Sequence, residues 1–230
     1  QLNEIPLPEI NNLKKVIEDK LLFEDLSIKV PKGAIVGIIG ANGAGKTTLF
    51  NIISDKLDST NGSVRLGETV NLSYVDQSRE TLDPIKTVWE EISEGNDVVE
   101  INSTTINTRA YTSAFNFKGS DQQKKVSQLS GGERNRIHLA KALKSGANVL
   151  LLDEPTEGIQ PSIIKLITSV IKSLRDQGNM AIILVEQYFE FAFELADKIL
   201  VMERGSVVLD AAKADLDETT VRKSLTVWLF

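Results

Sequence analysis

Eight residues, Gly40-Ala41-Asn42-Gly43-Ala44-Gly45-Lys46-Thr47, carry a chemistry that their spacing makes specific. They match G-x-x-x-x-G-K-S/T, the pattern of a loop that cradles phosphate groups. Glycines at 40, 43 and 45 are expected to allow backbone conformations that a side chain forbids. Successive N–H groups then turn inward as an anion nest, and the helix that follows adds partial positive charge at the same place. The expected phosphate contacts are Gly40, Asn42, Gly43, Ala44, Gly45, Lys46, Thr47 and Thr48. Lys46 is expected to reach the outer phosphates, and the Thr47 hydroxyl to ligate Mg2+.

Three later stretches hold further candidates. Gln77 follows a short apolar run, where its amide oxygen can ligate a cation or place a water, although a lone glutamine is ordinarily structural. Leu129-Ser130-Gly131-Gly132-Glu133 has the spacing of a capping box, and its paired glycines also bare N–H groups able to hold an anion. Leu150-Leu151-Leu152-Asp153-Glu154 is an apolar strand closed by two acids. Such acids often only face solvent. Beside a phosphate loop, Asp153 is expected to hold Mg2+ and Glu154 to act as general base on a water.

The elements that must position these groups alternate. Apolar runs at 34–39, 148–152 and 180–185 read as buried strands, and stretches following 47, 130 and 162 read as helices. The helix after Ser130 is expected to end near Lys144, and Ser162 to cap a long helix stopped by Gly178. A helix is expected to begin at Ile85, residues 93–108 to form a loop, and residues 109–118 another helix. Short strands near 14–17, 21–30, 63–66 and 70–75 suggest an antiparallel subsheet, and 198–202 with 206–210 a hairpin. The pattern predicts an α/β fold with a mainly parallel sheet.

Composition narrows the chemistry. The 230 residues include no cysteine, which excludes disulfide and thiol chemistry, and one histidine, which excludes a multi-histidine metal site. The net charge of −6 argues against sequence-independent nucleic-acid affinity over the whole surface. No apolar run has the length of a membrane span, and the first residues do not read as a signal peptide. A cytoplasmic location is expected. Residues 118–144 are locally basic, through Lys118, Lys124, Lys125, Arg134, Arg136, Lys141 and Lys144, and a solvated helix face is the expected reading.

In this order, Gly40–Thr47, Gln77, Leu129–Glu133 and Leu150–Glu154 resemble the Walker A, Q-loop, signature and Walker B motifs of ABC-type ATPase domains. The resemblance implies one P-loop NTPase domain over 1–230, with an antiparallel β-subdomain and a helical subdomain at about 85–147. It implies ATP and Mg2+ as ligands, with Thr47, Gln77 and Asp153 around the metal. It also implies a head-to-tail partner, a second copy or a tandem domain, whose Ser130, Gly131, Gly132 and Glu133 segment caps the nucleotide. Lys46, Glu154 and Gln187 are the implied catalytic residues. Gln187 stands where most such domains have a histidine that touches the γ-phosphate. Ile17 stands where an aromatic usually stacks on adenine, so only weak apolar contact is expected there, and Gln160 departs from the usual D-loop aspartate.

The finer resemblance divides. Residues from about 20 to 154 resemble the second ATPase domain of ABC-F translation factors, through Pro31–Gly40, Thr87–Glu91, Phe115–Gly119 and Leu129–Arg136. Residues 153–226 resemble ATPase subunits of branched-chain amino acid and urea importers, through Asp153–Ser162, Met180–Tyr188 and Leu200–Gly205. The expectation is a chimera joined at about 148–155. Its parent families imply a ribosome or a membrane transport subunit as partner. An engineered scaffold with little turnover and an ABC-F fragment acting on the ribosome are the alternatives.

Overall fold

The computed structural model describes residues 8–75, 82–101, 104–156, 161–176, 178, 180–219 and 221–222. In chain order the elements begin with β1 (Glu9–Ile17), β2 (Lys20–Lys29), β3 (Ile35–Ile39), α1 (Lys46–Ile53), β4 (Asn61–Arg65) and β5 (Leu72–Val75). Then follow α2 (Val88–Ser93), β6 (Val98–Ile101), β7 (Thr104–Asn107), α3 (Thr108–Ala114) and α4 (Gly131–Lys144). The chain continues with β8 (Val149–Asp153), α5 (Pro161–Asp176), β9 (Ala181–Glu186), α6 (Phe189–Leu195), β10 (Lys198–Glu203) and β11 (Ser206–Ala212). They divide between two compact units. One comprises Gln1–Tyr74, Asn148–Glu154 and Lys172–Phe230, and the other Val75–Ala147 and Pro155–Ile171.

The first unit is built on a six-stranded sheet of order β11-β10-β3-β9-β8-β5. Strands β10, β3, β9 and β8 run parallel, and β11 pairs antiparallel with β10. Every residue of β3, β8 and β9 is buried. That is why these segments read as continuous apolar runs rather than as alternating ones: a parallel sheet is covered on both faces. A three-stranded antiparallel sheet, β2-β1-β4, lies in the same unit. Its β1–β2 hairpin turns on Glu18 and Asp19, both left-handed (φ 47° and 64°), the geometry that matches strand twist in a two-residue loop. The two sheets share one core, in which Phe23, Leu26 and Ile28 meet Ile38, Leu49, Phe50, Leu151 and Ile183. The expected α/β class, mainly parallel sheet and antiparallel subsheet are all present.

The second unit contains α2, α3, α4 and the β6–β7 hairpin. Here local expectations need four corrections. Helix α2 starts at Val88, not Ile85, because Thr87 caps it: the Thr87 hydroxyl accepts from Glu90 N and the Glu90 carboxylate accepts from Thr87 N at 2.7 Å. Ile85, ahead of the cap, is 75% exposed. The expected loop at 93–108 holds the antiparallel strands β6 and β7, which pair Val99 with Ile106 and Glu100 with Thr105. Threonines there make the segment look merely polar, although a β-branched threonine suits a strand. Helix α3 stops at Ala114, and Asn116 turns left-handed (φ 62°) so that both Phe115 and Phe117 become buried. Finally, α5 begins at Pro161, whose fixed φ and missing N–H suit a first helical position, so Ser162 lies within the first turn and is not its cap. Among the described residues, no helix is long and apolar enough to cross a membrane.

Candidate functional site

The phosphate-loop octet joins the end of β3 to the start of α1. Gly43 and Gly45 are left-handed (φ 80° and 95°), where a side chain is strained. Gly40 needs its glycine for another reason: a Cβ there would lie 2.5 Å from the Met202 carbonyl oxygen. Close approach of β10, not an unusual φ, excludes a side chain at this position. Ala44 N donates to Ala41 O at 3.2 Å inside the loop. Gly45 is the N-cap of α1 and supplies no side-chain acceptor, and the first turn carries no acid. The first N–H groups of α1 therefore lack a side-chain partner, which leaves them suited to an anion. Thr47 is exposed and Thr48 half-buried.

Lys46 is only 5% exposed. Its Nζ donates to Gly40 O at 2.7 Å and Ala41 O at 3.0 Å, curling back over the loop, and lies 3.8 Å from Glu154 Oε1. Burial pulls the ammonium below its ordinary pKa, opposed by the negative charges of Glu154, Asp153 and Glu186.

The acids come from the ends of two adjacent parallel strands. Asp153, the last residue of β8, is buried and accepts from the Tyr74 hydroxyl at 3.2 Å. Glu154 is left-handed (φ 48°), a conformation that costs a non-glycine residue about 1–3 kcal/mol and recurs at functional sites. Its N–H donates to Val185 O of β9 at 2.9 Å, which anchors the turn. Gln187 Nε2 donates to both Glu154 carboxylate oxygens, each at 2.9 Å. Glu186, 1% exposed at the end of β9, accepts from Gln187 N at 3.2 Å. Neither Tyr74 nor Glu186 is expected here from the sequence. Glu186 has a readable signal, an acid closing an apolar strand just as Asp153 does.

A family model described as ABC transporter matches residues 23–157, more than half of the chain. The chain belongs to the ABC transporter family. It is an ABC ATPase domain. The energy-dependent translational throttle protein EttA of Haemophilus influenzae is 55% identical over 163 residues, 71% of this chain and 29% of that protein. The ATP-binding protein Uup of the same organism is 33% identical over 181 residues, 79% of this chain and 28% of that protein. The chain thus spans less than a third of either relative's length. An ATP-binding cassette solved as a dimer in a post-hydrolysis state with ADP and Pi has a TM-score of 0.72 at 19% identity, covering 90% of this chain and 99% of that one. At that identity the likeness speaks for the fold alone.

The remaining expected residues of this ABC domain are placed as follows. Ser130 caps α4: its hydroxyl accepts from Glu133 N at 3.3 Å, and Glu133 Oε2 accepts from Ser130 N at 2.9 Å. Gly131, at the first helical position, is exposed and Gly132 half-buried. Ile17 closes β1 and is 41% exposed. Gln77 and Gln160 lie outside the described residues. A cavity of about 610 Å³ opens beside the first half of the loop, lined by Gly40, Asn42, Gln187, Phe189, Met202 and Arg222 among others. Lys46, Thr47, Asp153 and Glu154 do not line it, so it adjoins the chemical groups rather than containing them.

The donors suit Mg2+. Thr47 and Asp153 offer hard oxygens, and no cluster of three or more histidine, cysteine, aspartate or glutamate residues forms a metal cage among the described residues. Mg2+ ordinarily takes one or two protein oxygens and completes its shell with water and phosphate, which matches this sparse set.

The basic face of 118–144 is less solvated than expected. Lys141 pairs with Glu91 at 2.6 Å, Lys144 with Glu94 at 3.0 Å and Lys124 with Asp121 at 2.7 Å. Arg136 is buried, its guanidinium 4.7 Å from the centre of the Phe117 ring. Lys118, Lys125 and Arg134 are the exposed cations that remain. His138, the chain's one histidine, is buried within α4.

Proposed function

We propose that this chain binds ATP with Mg2+ and hydrolyses its β–γ phosphate bond, as a single ABC ATPase domain with its helical subdomain at about 85–147. The observation that carries this reading is the convergence of a phosphate-loop lysine and a strand-closing glutamate: Lys46 Nζ lies 3.8 Å from Glu154 Oε1. Bound phosphates would draw Lys46 from the carbonyls of Gly40 and Ala41 onto the β- and γ-phosphate oxygens. Glu154 then takes a proton from a water whose oxygen attacks the γ-phosphorus. The bond between that phosphorus and the bridging oxygen breaks, and its electron pair leaves with ADP. Lys46 and the loop N–H groups stabilise the charge that spreads over the phosphoryl oxygens. Thr47, Asp153 and Gln77 would hold Mg2+, which would supply neutralising positive charge to the phosphates.

The site is completed by a head-to-tail partner, whose Ser130 and exposed Gly131 cap the nucleotide. Turnover of the isolated chain is slow. Phosphate release from ATP is expected with Mg2+ and lost on its chelation. No release with Mg2+ at any protein concentration would instead identify a nucleotide-binding scaffold.

We further infer a junction at about 148–155, within and just around β8, between an ABC-F-like part and an importer-like part. Asp153–Ser162 and Met180–Tyr188 on one side, and Leu129–Arg136 on the other, support it. The similarity to EttA, named a translational throttle protein, favours a cytoplasmic ribosome partner over a membrane transport subunit. Exposed Lys118, Lys125 and Arg134 would meet RNA phosphate there. Co-sedimentation with ribosomes that weakens steeply with salt is expected, and no co-sedimentation at low salt would overturn this partner.

A further inference from the structure

We propose that Tyr74 is a positioning residue that sets the Asp153 carboxylate for Mg2+. The proposal rests on the reading of Asp153 as a Mg2+ ligand.

Asp153 is the last residue of β8, and Tyr74 lies on β5, the neighbouring strand at the edge of the six-stranded sheet. The two strands are tied together where they begin. Asn71 N donates to Asn148 Oδ1 at 2.8 Å, and Asn71 O accepts from Asn148 N at 2.9 Å and from Val149 N at 3.2 Å. From that fixed start the phenol of Tyr74 reaches the end of β8, where its hydroxyl donates to Asp153 Oδ2 at 3.2 Å. The ring itself is held by two further contacts. Phe50 meets it edge-on, with ring centres 5.7 Å apart and planes at 89°, and Lys56 Nζ lies 4.3 Å from its centre. Phe50 belongs to α1, about one turn beyond Thr47. Tyr74 thus touches both elements that carry candidate Mg2+ oxygens, α1 through Phe50 and the end of β8 through Asp153.

The kind of donor matters. A metal-ligating carboxylate is oriented by an outer hydrogen-bond partner, and loss of such a partner typically costs roughly 10- to 100-fold in metal affinity or activity. A lysine or arginine at this place would orient Asp153 but also set a full positive charge beside a site for a cation. A phenol hydroxyl orients the carboxylate without adding that charge. Lys46 already brings one ammonium into the field of Asp153, so an uncharged partner keeps this acid available to the metal. A tyrosine with a purely structural bond looks different: the buried Tyr111 donates its hydroxyl to a main-chain carbonyl, Ala140 O, at 2.7 Å.

The test separates metal from nucleotide and from packing. Tyr74→Phe removes the hydroxyl and keeps a ring against Phe50 and Lys56, and thermal unfolding without nucleotide verifies the fold. A non-hydrolysable ATP analogue is titrated calorimetrically, once with Mg2+ and once with EDTA. Affinity in EDTA is expected to match the parent chain, and the gain in affinity on adding Mg2+ to shrink roughly 10-fold. The Mg2+ concentration for half-maximal phosphate release is expected to rise by about the same factor. A gain with Mg2+ equal to the parent's, or an equal loss of affinity in EDTA and in Mg2+, would overturn the proposal. Failure of the underlying reading looks different: Asp153→Asn would then keep the parent's gain with Mg2+.

Discussion

Glu154→Gln is expected to bind ATP about as tightly as the parent chain and to lose turnover by roughly 100-fold or more, the typical contribution of a positioned general base. The substitution preserves the side chain's length and shape, so the left-handed turn at φ 48° and the backbone bond to Val185 O are retained. What is lost is the capacity to accept a proton from water. The variant also removes the negative charge 3.8 Å from Lys46 Nζ, which leaves the lysine more available to phosphate. Equilibrium binding of ATP and phosphate release, measured on the same preparation, check both halves. Turnover within a factor of about two of the parent would remove Glu154 from the chemistry.

The complementary result is expected for Lys46→Ala. This variant should weaken ATP binding about 100-fold, close to 2.8 kcal/mol at about 1.4 kcal/mol per decade, and turnover should fall with it. Lys46 is buried, and its ammonium already sits in the loop against the carbonyls of Gly40 and Ala41. Exchanging those carbonyls for phosphate oxygens gives a charge-assisted contact that a methyl group cannot supply. Stability should change much less than affinity. Two carbonyls lose a donor, but the chain no longer buries an ammonium whose pKa is already lowered by desolvation. Calorimetric titration with ATP, beside a thermal unfolding curve, separates the two effects. Unaltered ATP affinity would contradict the assignment of Gly40–Thr47 as the phosphate site.

Much of the fold and of the candidate site is legible in the amino-acid sequence, and the reason is physical. The strands β3, β8 and β9 are buried on both faces, so each announces itself as an uninterrupted apolar run. Helix α4 begins after Ser130 and ends at Lys144, as its residues predict, because a capping box is a local device. What is not legible depends on distant partners. Gly40 is a glycine because Met202, far along the chain, approaches it. The bond from Gln187 to Glu154 requires β8 and β9 to lie side by side in one particular register, which no local spacing encodes. The pairing of Lys141 and Lys144 with Glu91 and Glu94 likewise crosses between helices, so counting acids only within 118–144 makes the face look more basic than it is. The β6–β7 hairpin escapes local patterning because its threonines are polar by type and strand-forming by shape.

We propose that two copies of this chain, or this chain and a tandem domain, share the work of ATP hydrolysis across a sandwiched nucleotide. The direct measurement is phosphate release per chain from Mg2+-bound ATP over a wide range of protein concentration, at one fixed salt. The rate per chain is predicted to rise with concentration, because association by mass action brings Ser130 and Gly131 of one copy to the phosphate loop of another. A rate per chain that is the same at every concentration, or no release at all, would contradict it.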